Sequence, residues 1–499
     1  MRHPLPVLAI LCALLAVACR SESRAAESAL NRVQRTRVLR WGGDVQGGEP
    51  YVYEDPTTPG KLIGFEVDIM EAVARELGVS AEFVQSDWSN LVPALERGTF
   101  DVAVNGLEVT AARADVVRFT RPYYVFSEQL VVRRDDRSIS ALTDLRGKRV
   151  GTLASSLAWD LLQPTGATVV PYEGVEEPYQ DLVNGRTDAV LLDDVIAERY
   201  GLVKPTLRLA ADVGDGYYAA AVRRADASLG DAIDGALAEL GRTGELRRIL
   251  ARFRLDNARQ ARLAQWTAAD TRTMIGAHQT ATFTLGHLRL FLEGAGVTLL
   301  VSVLAMALAV TLGLFLALAR RSRHRPLSLL ASLYVELFRG TPVLLQLYLI
   351  YFGLGNVSPA LRLGPLTAAV LGLGLNYAAY ESEIYRAAMD AVPVGQLEAA
   401  AALGMSVPLT LRRILVPQAL RIALPGVTND FIALLKDSSL VSVITVVELT
   451  KRMQITAVDV RSYLIPGLLC AGLYLAMSFP LSRLSRRLEA RLARDGDAT

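Results

Sequence analysis

Apolar and polar residues follow two different patterns along this 499-residue chain, and the change comes near residue 290. Residues 38 to 253 alternate short apolar segments with amphipathic ones and carry charges throughout, whereas long apolar runs fill residues 290 to 485. The first pattern predicts a soluble α/β domain over 38–255. The second predicts helices that cross a membrane. Between them, residues 256–289 are polar and rich in Thr, Ala, Arg and Gln, which predicts a linker.

The alternation in the first half is regular enough to place individual elements. Seven strands are predicted, at Val38–Trp41, Ala81–Val84, Asp101–Val104, Arg149–Leu153, Thr168–Pro171, Asp188–Leu192 and Tyr217–Arg223. Helices are predicted at Phe65–Leu77, Leu91–Glu96, Leu229–Leu240 and Glu245–Phe253. A domain of this length can bury a sound core.

The second half, residues 290–485, contains five apolar runs, each long enough to span a bilayer. They lie at about 292–319, 330–354, 365–389, 426–447 and 463–482, and residues 486–499 form a charged tail. Glu336, Glu381 and Glu383 interrupt two of the runs. Such charges are typical of helix bundles in which they face protein or a solute pathway.

The N-terminus has the layout of a secretory signal, predicted over residues 1–19: Arg2 and His3, the apolar run Leu5–Ala18, then polar residues. The segment before Cys19 loosely resembles a lipoprotein cleavage box, so lipidation at Cys19, an ordinary signal and an uncleaved anchor all stay open. Each of these hypotheses sends the following domain across the membrane.

Positive charges predict the orientation of the helical half. Arginines at 320, 321, 323 and 325 follow the first run, and those at 483, 486, 487, 491 and 494 follow the fifth. Because such clusters mark the cytoplasmic side, five spans place domain 38–255 outside the cytoplasm of a plasma (inner) membrane. The loop 390–425 then lies inside.

Composition excludes several functions. The net charge of +2 gives no reason to expect a nucleic-acid partner, and none of the three cysteines falls in the soluble half. We find no catalytic triad, paired-carboxylate motif or metal cluster, which predicts a chain that is not an enzyme and holds no metal. Gly60-Lys61 and Gly147-Lys148 lack the other residues of an ATP-binding phosphate loop, so no cofactor is predicted here and ATP is left to a separate subunit.

The stretch Glu398–Pro417, EAAAALGMSVPLTLRRILVP, combines charges and two prolines inside the apolar half. Lipid does not tolerate that mixture, so it is predicted to be an aqueous loop. Its residues Glu398, Ala399, Ala400, Gly404, Ile414 and Pro417 resemble the EAA loop of ABC importer permeases, with Val416 where Leu is usual. The resemblance implies that these six residues dock a cytoplasmic ATPase; an ordinary amphipathic connector is the alternative.

Two further stretches, Glu336–Pro342 and Leu435–Leu440, are similar to segments of polar amino-acid permeases, so that this resemblance covers roughly residues 290–485. One five-span module is half of the usual pathway in that family. The resemblance therefore implies a homodimer.

The soluble half resembles family 3 periplasmic binding proteins for polar amino acids. The matching stretches are Gly64–Ile69, SDWSNLVPALERGTFDVAVNG, VTAARADVVRFTRPYY and LRGKRVGTLASS. The resemblance implies two α/β lobes, one of about 38–130 plus the end of the domain and one of about 135–215, which close on a free amino acid.

The same resemblance assigns candidate ligand contacts. Arg113 is the predicted clamp for the ligand carboxylate, because its planar fork donates two parallel bonds. Asp193 is the predicted acceptor for the ammonium group, with the adjacent Asp194 as the alternative. Ser156 opens a helix whose N-terminus offers donors to the carboxylate, although a simple N-cap needs the same residue. Trp88 is predicted as an aromatic platform, with core packing as its alternative.

Three more positions complete the predicted pocket: Asp44, Glu108 and Thr110. Glu108 departs from the family, which usually has Ser or Thr there, and Gly47–Tyr51 departs from its aromatic-proline segment. The two acids favour a cationic ligand such as arginine, lysine or histidine, unless they are solvated residues at a cleft rim. Substrate identity stays open.

Two classes of function compete. The first is a fused receptor and permease of an ABC importer for polar amino acids. The second is an amino-acid-gated channel or a membrane sensor, which would need a filter sequence such as TVGYG or a cytoplasmic signalling domain. No such filter occurs, and only about 17 residues follow the fifth run.

Overall fold

A computed structural model describes residues 28–154, 156–267, 269–271, 283–460 and 462–496. The predicted signal sequence, Cys19 and part of the predicted linker lie outside these residues. The chain forms two compact units. The first comprises residues up to Phe126 together with Gly216–Gly276, and the second comprises Ser127–Asp215 together with Ala277 onward.

The first unit is built on a sheet with the order β4-β1-β5-β10, in which β10 is Leu207–Arg223. Its strands are β1 Val38–Gly43, β2 Tyr53–Glu54, β3 Leu62–Ile63, β4 Ser80–Gln85 and β5 Val102–Ala103, with β2 and β3 forming a separate ribbon. Its helices are α1 Ala29–Thr36, α2 Phe65–Glu76, α3 Leu91–Glu96, α4 Ala111–Ala114, α8 Ala227–Arg242, α9 Glu245–Arg252 and α10 Ala261–Ala264. Strand β1 pairs in parallel with β4 and β5. Helices must therefore connect these strands, as the alternating pattern predicts.

The α/β part of the second unit, which we call lobe two, has the strand order β6-β9-β7-β8. Here β7 is Arg149–Leu153, β8 is Thr168–Tyr172 and β9 is Ala189–Asp193. Its helices are α5 Leu157–Leu162, α6 Glu177–Val183 and α7 Asp194–Ile196. Leu130, Val150, Leu162 and Leu191 form its apolar core.

Two 17-residue strands, β6 Val117–Arg133 and β10 Leu207–Arg223, contain the points where the chain changes unit. The sequence predicts no strand at 117–133 and only the second half of β10. Strand β6 is not predicted from the sequence because it contains Pro122, and proline usually marks the edge or the end of a strand. The change falls at Phe126/Ser127 and Asp215/Gly216, whereas the predicted lobes change between 130 and 135 and at 215.

The helical half follows within the second unit. Its helices are α11 Leu285–Arg320, α12 Arg325–Gly340, α13 Val343–Tyr348, α14 Leu354–Val357, α15 Pro365–Asp390, α16 Val394–Ala402, α17 Val407–Thr410, α18 Val416–Asp437, α19 Leu449–Asp459 and α20 Leu464–Gly496. Helix α11 packs closely along α15, since a Cβ at Gly313 would lie 2.6 Å from the Glu381 Cβ. Small residues at such crossings are typical of helix packing in membranes.

The five predicted spans are only partly recovered. Among the described residues, α11 and the first 24 residues of α20 are long and apolar enough to cross a membrane, and a pair of helices bent by 107° at Thr341 and Pro342 could form a third span. Helices α15 and α18, which carry both polar and charged residues, are not among these candidate spans. The predicted fourth span at 426–447 is wrong in its bounds: the helix runs from Val416 to Asp437, and a 3-10 turn, Ser438–Ile444, follows it.

Candidate functional site

The segment Gly64–Ile69, part of the binding-protein signature, stabilises the interior of the first unit. Gly64 has φ of +145°, and a Cβ there would lie 2.0 Å from the Tyr51 carbonyl oxygen, so only glycine fits. The next two residues start α2 and are fully buried. Glu66 accepts hydrogen bonds from the Gly106 amide at 2.5 Å and from the Tyr123 hydroxyl at 2.6 Å. This carboxyl group therefore fixes the loop after β5, on which the candidate ligand contacts follow.

Asp44 and Trp88 are held together in the first unit. Asp44 is buried and accepts hydrogen bonds from the Gln46 amide at 2.9 Å, the Gln85 amide nitrogen at 2.9 Å and the Trp88 backbone at 2.8 Å. The Trp88 indole donates to the Asn105 carbonyl at 3.2 Å. Asp44 thus positions the loop that carries Trp88, a role the sequence alone did not suggest.

Arg113 lies against the Trp88 ring and Glu108. Its guanidinium carbon is 4.6 Å from the indole centroid, and one of its nitrogens donates to the Glu108 carbonyl at 2.9 Å. The same nitrogen is 3.7 Å from a Glu108 carboxylate oxygen, and the Arg113 side chain is only 12% exposed. These contacts with Trp88 and Glu108 hold the guanidinium in a fixed position.

Glu108 and Thr110 flank this guanidinium and are both buried. The Thr110 hydroxyl accepts a hydrogen bond from the Arg113 amide at 3.3 Å, which starts the short helix α4. The Glu108 carboxylate faces Arg113, so its negative charge is compensated within the protein. The predicted preference for a cationic ligand therefore gains no support from Glu108 alone.

Ser156 and Asp193 lie in lobe two. Ser156 is the N-cap of α5: its hydroxyl accepts from the Trp159 amide at 3.0 Å and donates to the Leu153 carbonyl at 2.9 Å. Asp193 ends β9 and caps α7, accepting from the Ile196 amide at 2.9 Å. Asp193 and Asp194 are both buried, so burial does not choose between them. The structure brings Asp44, Trp88, Glu108, Thr110 and Arg113 together in the first unit and places Ser156 and Asp193 in the second.

Two further residues shape the first half-site. Asn105 holds both predicted contacts, because its side chain accepts a hydrogen bond from the Asp44 amide at 3.0 Å and its backbone carbonyl accepts one from the Trp88 indole at 3.2 Å. Glu66 supports the same segment through Gly106. Both residues lie in stretches that resemble the binding-protein family, DVAVNG and GFEVDI, and this was the only sign of their importance in the sequence. The backbone groups that they bind depend on the tertiary fold.

Burial raises the pKa of the Glu66 carboxyl from its ordinary 4.5 to about 7, although the hydrogen bonds from Gly106 and Tyr123 oppose the shift. A raised folded-state pKa means that the folded protein holds this proton more tightly than the unfolded chain. The stabilisation is therefore present below pH 4.5 and is lost as the pH rises through 7. We expect a loss of about 3 kcal/mol between these limits.

Thermal unfolding of the full chain in detergent, followed by tryptophan fluorescence, tests this pH dependence. All four tryptophans precede residue 267 and therefore report on the soluble half. The difference in melting temperature between the wild type and Glu66→Gln should change sharply between pH 5 and pH 8, whereas Glu71→Gln, an exposed change on the same helix, should give a constant difference. A constant difference for both variants would contradict the prediction.

The predicted docking loop consists of short helical segments, and most of its residues up to Pro408 are exposed. Helix α16 ends at Ala402, and Gly404 just beyond its C-cap has φ of +75°, the left-handed conformation that closes many helices. Leu403 is 82% exposed and Val407 is 66% exposed. Of the six predicted docking residues, Glu398, Ala399, Gly404 and Pro417 are exposed, Ile414 is half-buried and Ala400 is buried in the core. An exposed apolar surface of this kind is typical of a protein interaction site.

Two family descriptions match the chain, one in each half. Residues 40–256 match the bacterial extracellular solute-binding proteins, family 3. Residues 309–494 match the binding-protein-dependent transport system inner membrane component.

Curated relatives are permease proteins that this chain covers almost completely. The putative glutamine transport system permease protein GlnP of Rickettsia bellii is 36% identical over 203 residues, which is 40% of this chain and 91% of the relative. The L-cystine transport system permease protein TcyB of Bacillus subtilis is 40% identical, covering 40% of this chain and 84% of the relative. This chain belongs to the binding-protein-dependent permease family. It carries a family 3 solute-binding domain on the same polypeptide and is a membrane protein.

Solved structures are similar to the soluble half. An arginine-binding protein mutant from T. maritima is 27% identical and covers 46% of this chain and 100% of its own, with a TM-score of 0.42. An ancestral arginine-binding protein bound to arginine is 31% identical and covers 43% of this chain and 97% of its own, with a TM-score of 0.40. The fold assignment rests on the family matches and the sheet order rather than on these scores.

Proposed function

We propose that this fused receptor–permease imports a free polar amino acid. The solute-binding domain captures the amino acid outside the cytoplasm, and the permease half passes it through the membrane. The observation that carries the proposal is the presence of both families in one chain. It is supported by relatives whose names describe glutamine, cystine and arginine transport permeases.

Arg113 is proposed to bind the ligand carboxylate and Asp193 to accept its ammonium group. The pre-organised guanidinium supports the first role, because a group that is already immobile loses little entropy on binding. Trp88, Ser156 and Thr110 are proposed to complete the contacts, with Asp44 and Glu108 holding Trp88 and Arg113 in place.

ATP hydrolysis is proposed to occur on a separate cytoplasmic subunit that docks on Glu398–Pro417, with the permease halves of two chains forming one pathway. In this proposal the chain is a transporter subunit rather than an enzyme, and it needs no cofactor of its own. The exposed Leu403 and Val407 support a docking surface at this loop.

Titration calorimetry of the purified full chain against each of the twenty protein amino acids tests the proposal. At least one polar amino acid should bind at one site per chain with a micromolar or tighter dissociation constant. If none of the twenty binds, the amino-acid assignment is wrong, whatever else the permease carries.

A further inference from the structure

Lobe two and the permease half meet through a set of polar contacts, most of them buried, which we call the lobe-two seam. It consists of Glu173, Asp181, Asn184 and Arg186 from lobe two and of Tyr351, Gly355 and Lys451 from the permease half. All of these residues belong to one compact unit. None of them is a candidate ligand contact.

The centre of the seam is Asp181, at the middle of α6. Its carboxylate accepts hydrogen bonds from the Tyr172 hydroxyl at 2.7 Å and from the Tyr351 hydroxyl at 2.5 Å, and it pairs with Arg186 at 2.8 Å. Asp181 is 1% exposed, and the Arg186 side chain is 8% exposed. Buried charges must be paired and hydrogen-bonded to be stable, and here the permease tyrosine supplies one of the bonds.

Arg186 contacts the same tyrosine in two ways. Its second nitrogen donates to the Tyr351 carbonyl at 2.7 Å, and its guanidinium carbon lies 4.0 Å from the Tyr351 ring centroid. That carbonyl belongs to a π-helical turn, Leu349–Gly353, which forms the end of the second segment of the bent helix pair. Arg186 therefore binds the permease by a hydrogen bond and by a cation–π contact at once.

Lys451 provides a second, independent contact. Its side chain is 1% exposed and its ammonium group pairs with Glu173 of lobe two. Glu448 accepts hydrogen bonds from the amides of Thr450 and Lys451, both at 2.7 Å, which fixes the start of the helix that carries this lysine. A lysine buried to this extent would be costly without its partner.

Gly355 is a permease residue that lies directly against lobe two. A Cβ at this residue would lie 3.5 Å from the Asn184 side-chain nitrogen and 3.6 Å from Arg186. A Cβ fits at these distances, whereas a branched side chain such as leucine would extend further into Asn184 and Arg186.

We propose that lobe two is bound to the permease half of its own chain through this seam whether or not an amino acid is present. Two observations lead to this inference. Lys451 of the permease half is buried and has its ion-pair partner in lobe two. The buried Asp181–Arg186 pair of lobe two is bonded to Tyr351, and all receptor-side residues of the seam come from one lobe. Lobe two is therefore docked before the ligand binds, and the linker 256–289 is not the only connection between receptor and permease. The inference does not depend on which solute is carried.

Cross-linking of the full chain in detergent tests the proposal. Asn184→Cys and Gly355→Cys are combined, with Cys12, Cys19 and Cys470 replaced by alanine and a protease site inserted between residues 272 and 282. A short thiol-specific cross-linker is added, the site is cleaved, and the fraction of fragments that stay joined is measured on a gel. The pair leaves the Asp181 and Lys451 contacts intact.

The cross-linked fraction should agree within about twofold in three samples: without added amino acid, with all twenty protein amino acids at 1 mM each, and in the Arg113→Ala variant. Glu173→Lys, which sets a like charge against buried Lys451, should lower the fraction at least about fivefold. The matched control is Glu176→Lys, since Glu176 pairs with Lys204 inside lobe two at 2.8 Å. It should leave the fraction unchanged.

Three results would overturn the proposal: a cross-link that forms only with the amino-acid mixture, no cross-link in any sample, or equal effects of the two charge reversals. A second, steric test does not depend on correct folding of the variant with the cysteine pair. In the chain without the cysteine pair, Gly355→Leu should shorten the time for which the cleaved fragments stay associated, whereas Gly364→Leu, where an added Cβ meets nothing within 4 Å, should not.

Discussion

Replacement of Arg113 by alanine should lower the affinity of the full chain for its amino acid by a factor of about 10² to 10⁴. The guanidinium offers two charge-assisted hydrogen bonds to a carboxylate, each worth about 1.5–3 kcal/mol, and each 1.4 kcal/mol corresponds to a factor of ten. Since the side chain is 12% exposed and already fixed over Trp88, few other interactions can replace it. Calorimetry with the best-binding amino acid measures the loss.

Two further variants distinguish the contribution of the planar guanidinium from that of its charge and from a general loss of folding. Arg113→Lys keeps the positive charge but cannot donate two parallel bonds, so its affinity should fall between those of the wild type and the alanine variant. Arg97→Ala removes an exposed arginine from the same lobe and should leave binding unchanged. Wild-type affinity in Arg113→Ala would exclude this residue as the carboxylate clamp.

Replacement of Gly404 by aspartate should reduce amino-acid uptake more than about tenfold while ligand affinity stays the same. Gly404 closes α16 with φ of +75°, a conformation that costs other residues about 1 kcal/mol. The new charge would also lie beside exposed Leu403, where burying an unpaired charge against a partner is expensive. Uptake by cells and calorimetry of the purified chain measure the two effects separately.

Gly395→Asp is the matched control for this change. Gly395 lies in the first turn of α16, is exposed, and has no atom within 4 Å of an added Cβ, so a carboxylate is well tolerated there. Gly404→Asn distinguishes the effect of the backbone conformation from that of the added charge, since asparagine accepts the left-handed conformation without adding charge. Normal uptake by Gly404→Asp would contradict the docking role of this loop.

The sequence predicted the α/β elements well wherever apolar and polar residues alternate clearly. Strand β7 and helix α3 match their predicted bounds, and β1, β4 and β8 each extend beyond theirs by one or two residues at one or both ends. Strand β6 was missed because Pro122 interrupts a run that is otherwise buried on both faces. The pairing that forms it involves β9, which is distant in sequence.

The helical half was predicted less well because an apolar run does not tell where a helix bends. The sharp turn at Thr341 and Pro342 splits the predicted second span, and proline there was a readable signal. Helix α18 ends at Asp437, whose carboxylate accepts a hydrogen bond from the Tyr377 hydroxyl at 2.8 Å, and a 3-10 turn continues the chain.

The candidate ligand residues were found by their motifs, but their local partners were not. No sequence pattern shows that Asp44 holds the Trp88 backbone or that Glu108 faces Arg113, since each contact joins side chains placed by different elements. The lobe-two seam was likewise invisible, because Glu173 and Lys451 are separated by 278 positions.

Uptake of labelled amino acid by the organism that encodes this chain is the most direct test of the central claim that receptor and permease act as one importer. Deletion of the gene should lower uptake of the amino acid identified by calorimetry, and the full-length chain should restore it. A chain lacking residues 38–255, and the Arg113→Ala chain, should both fail to restore uptake although they reach the membrane. Full uptake without residues 38–255, or unchanged uptake after deletion of the gene, would contradict the account.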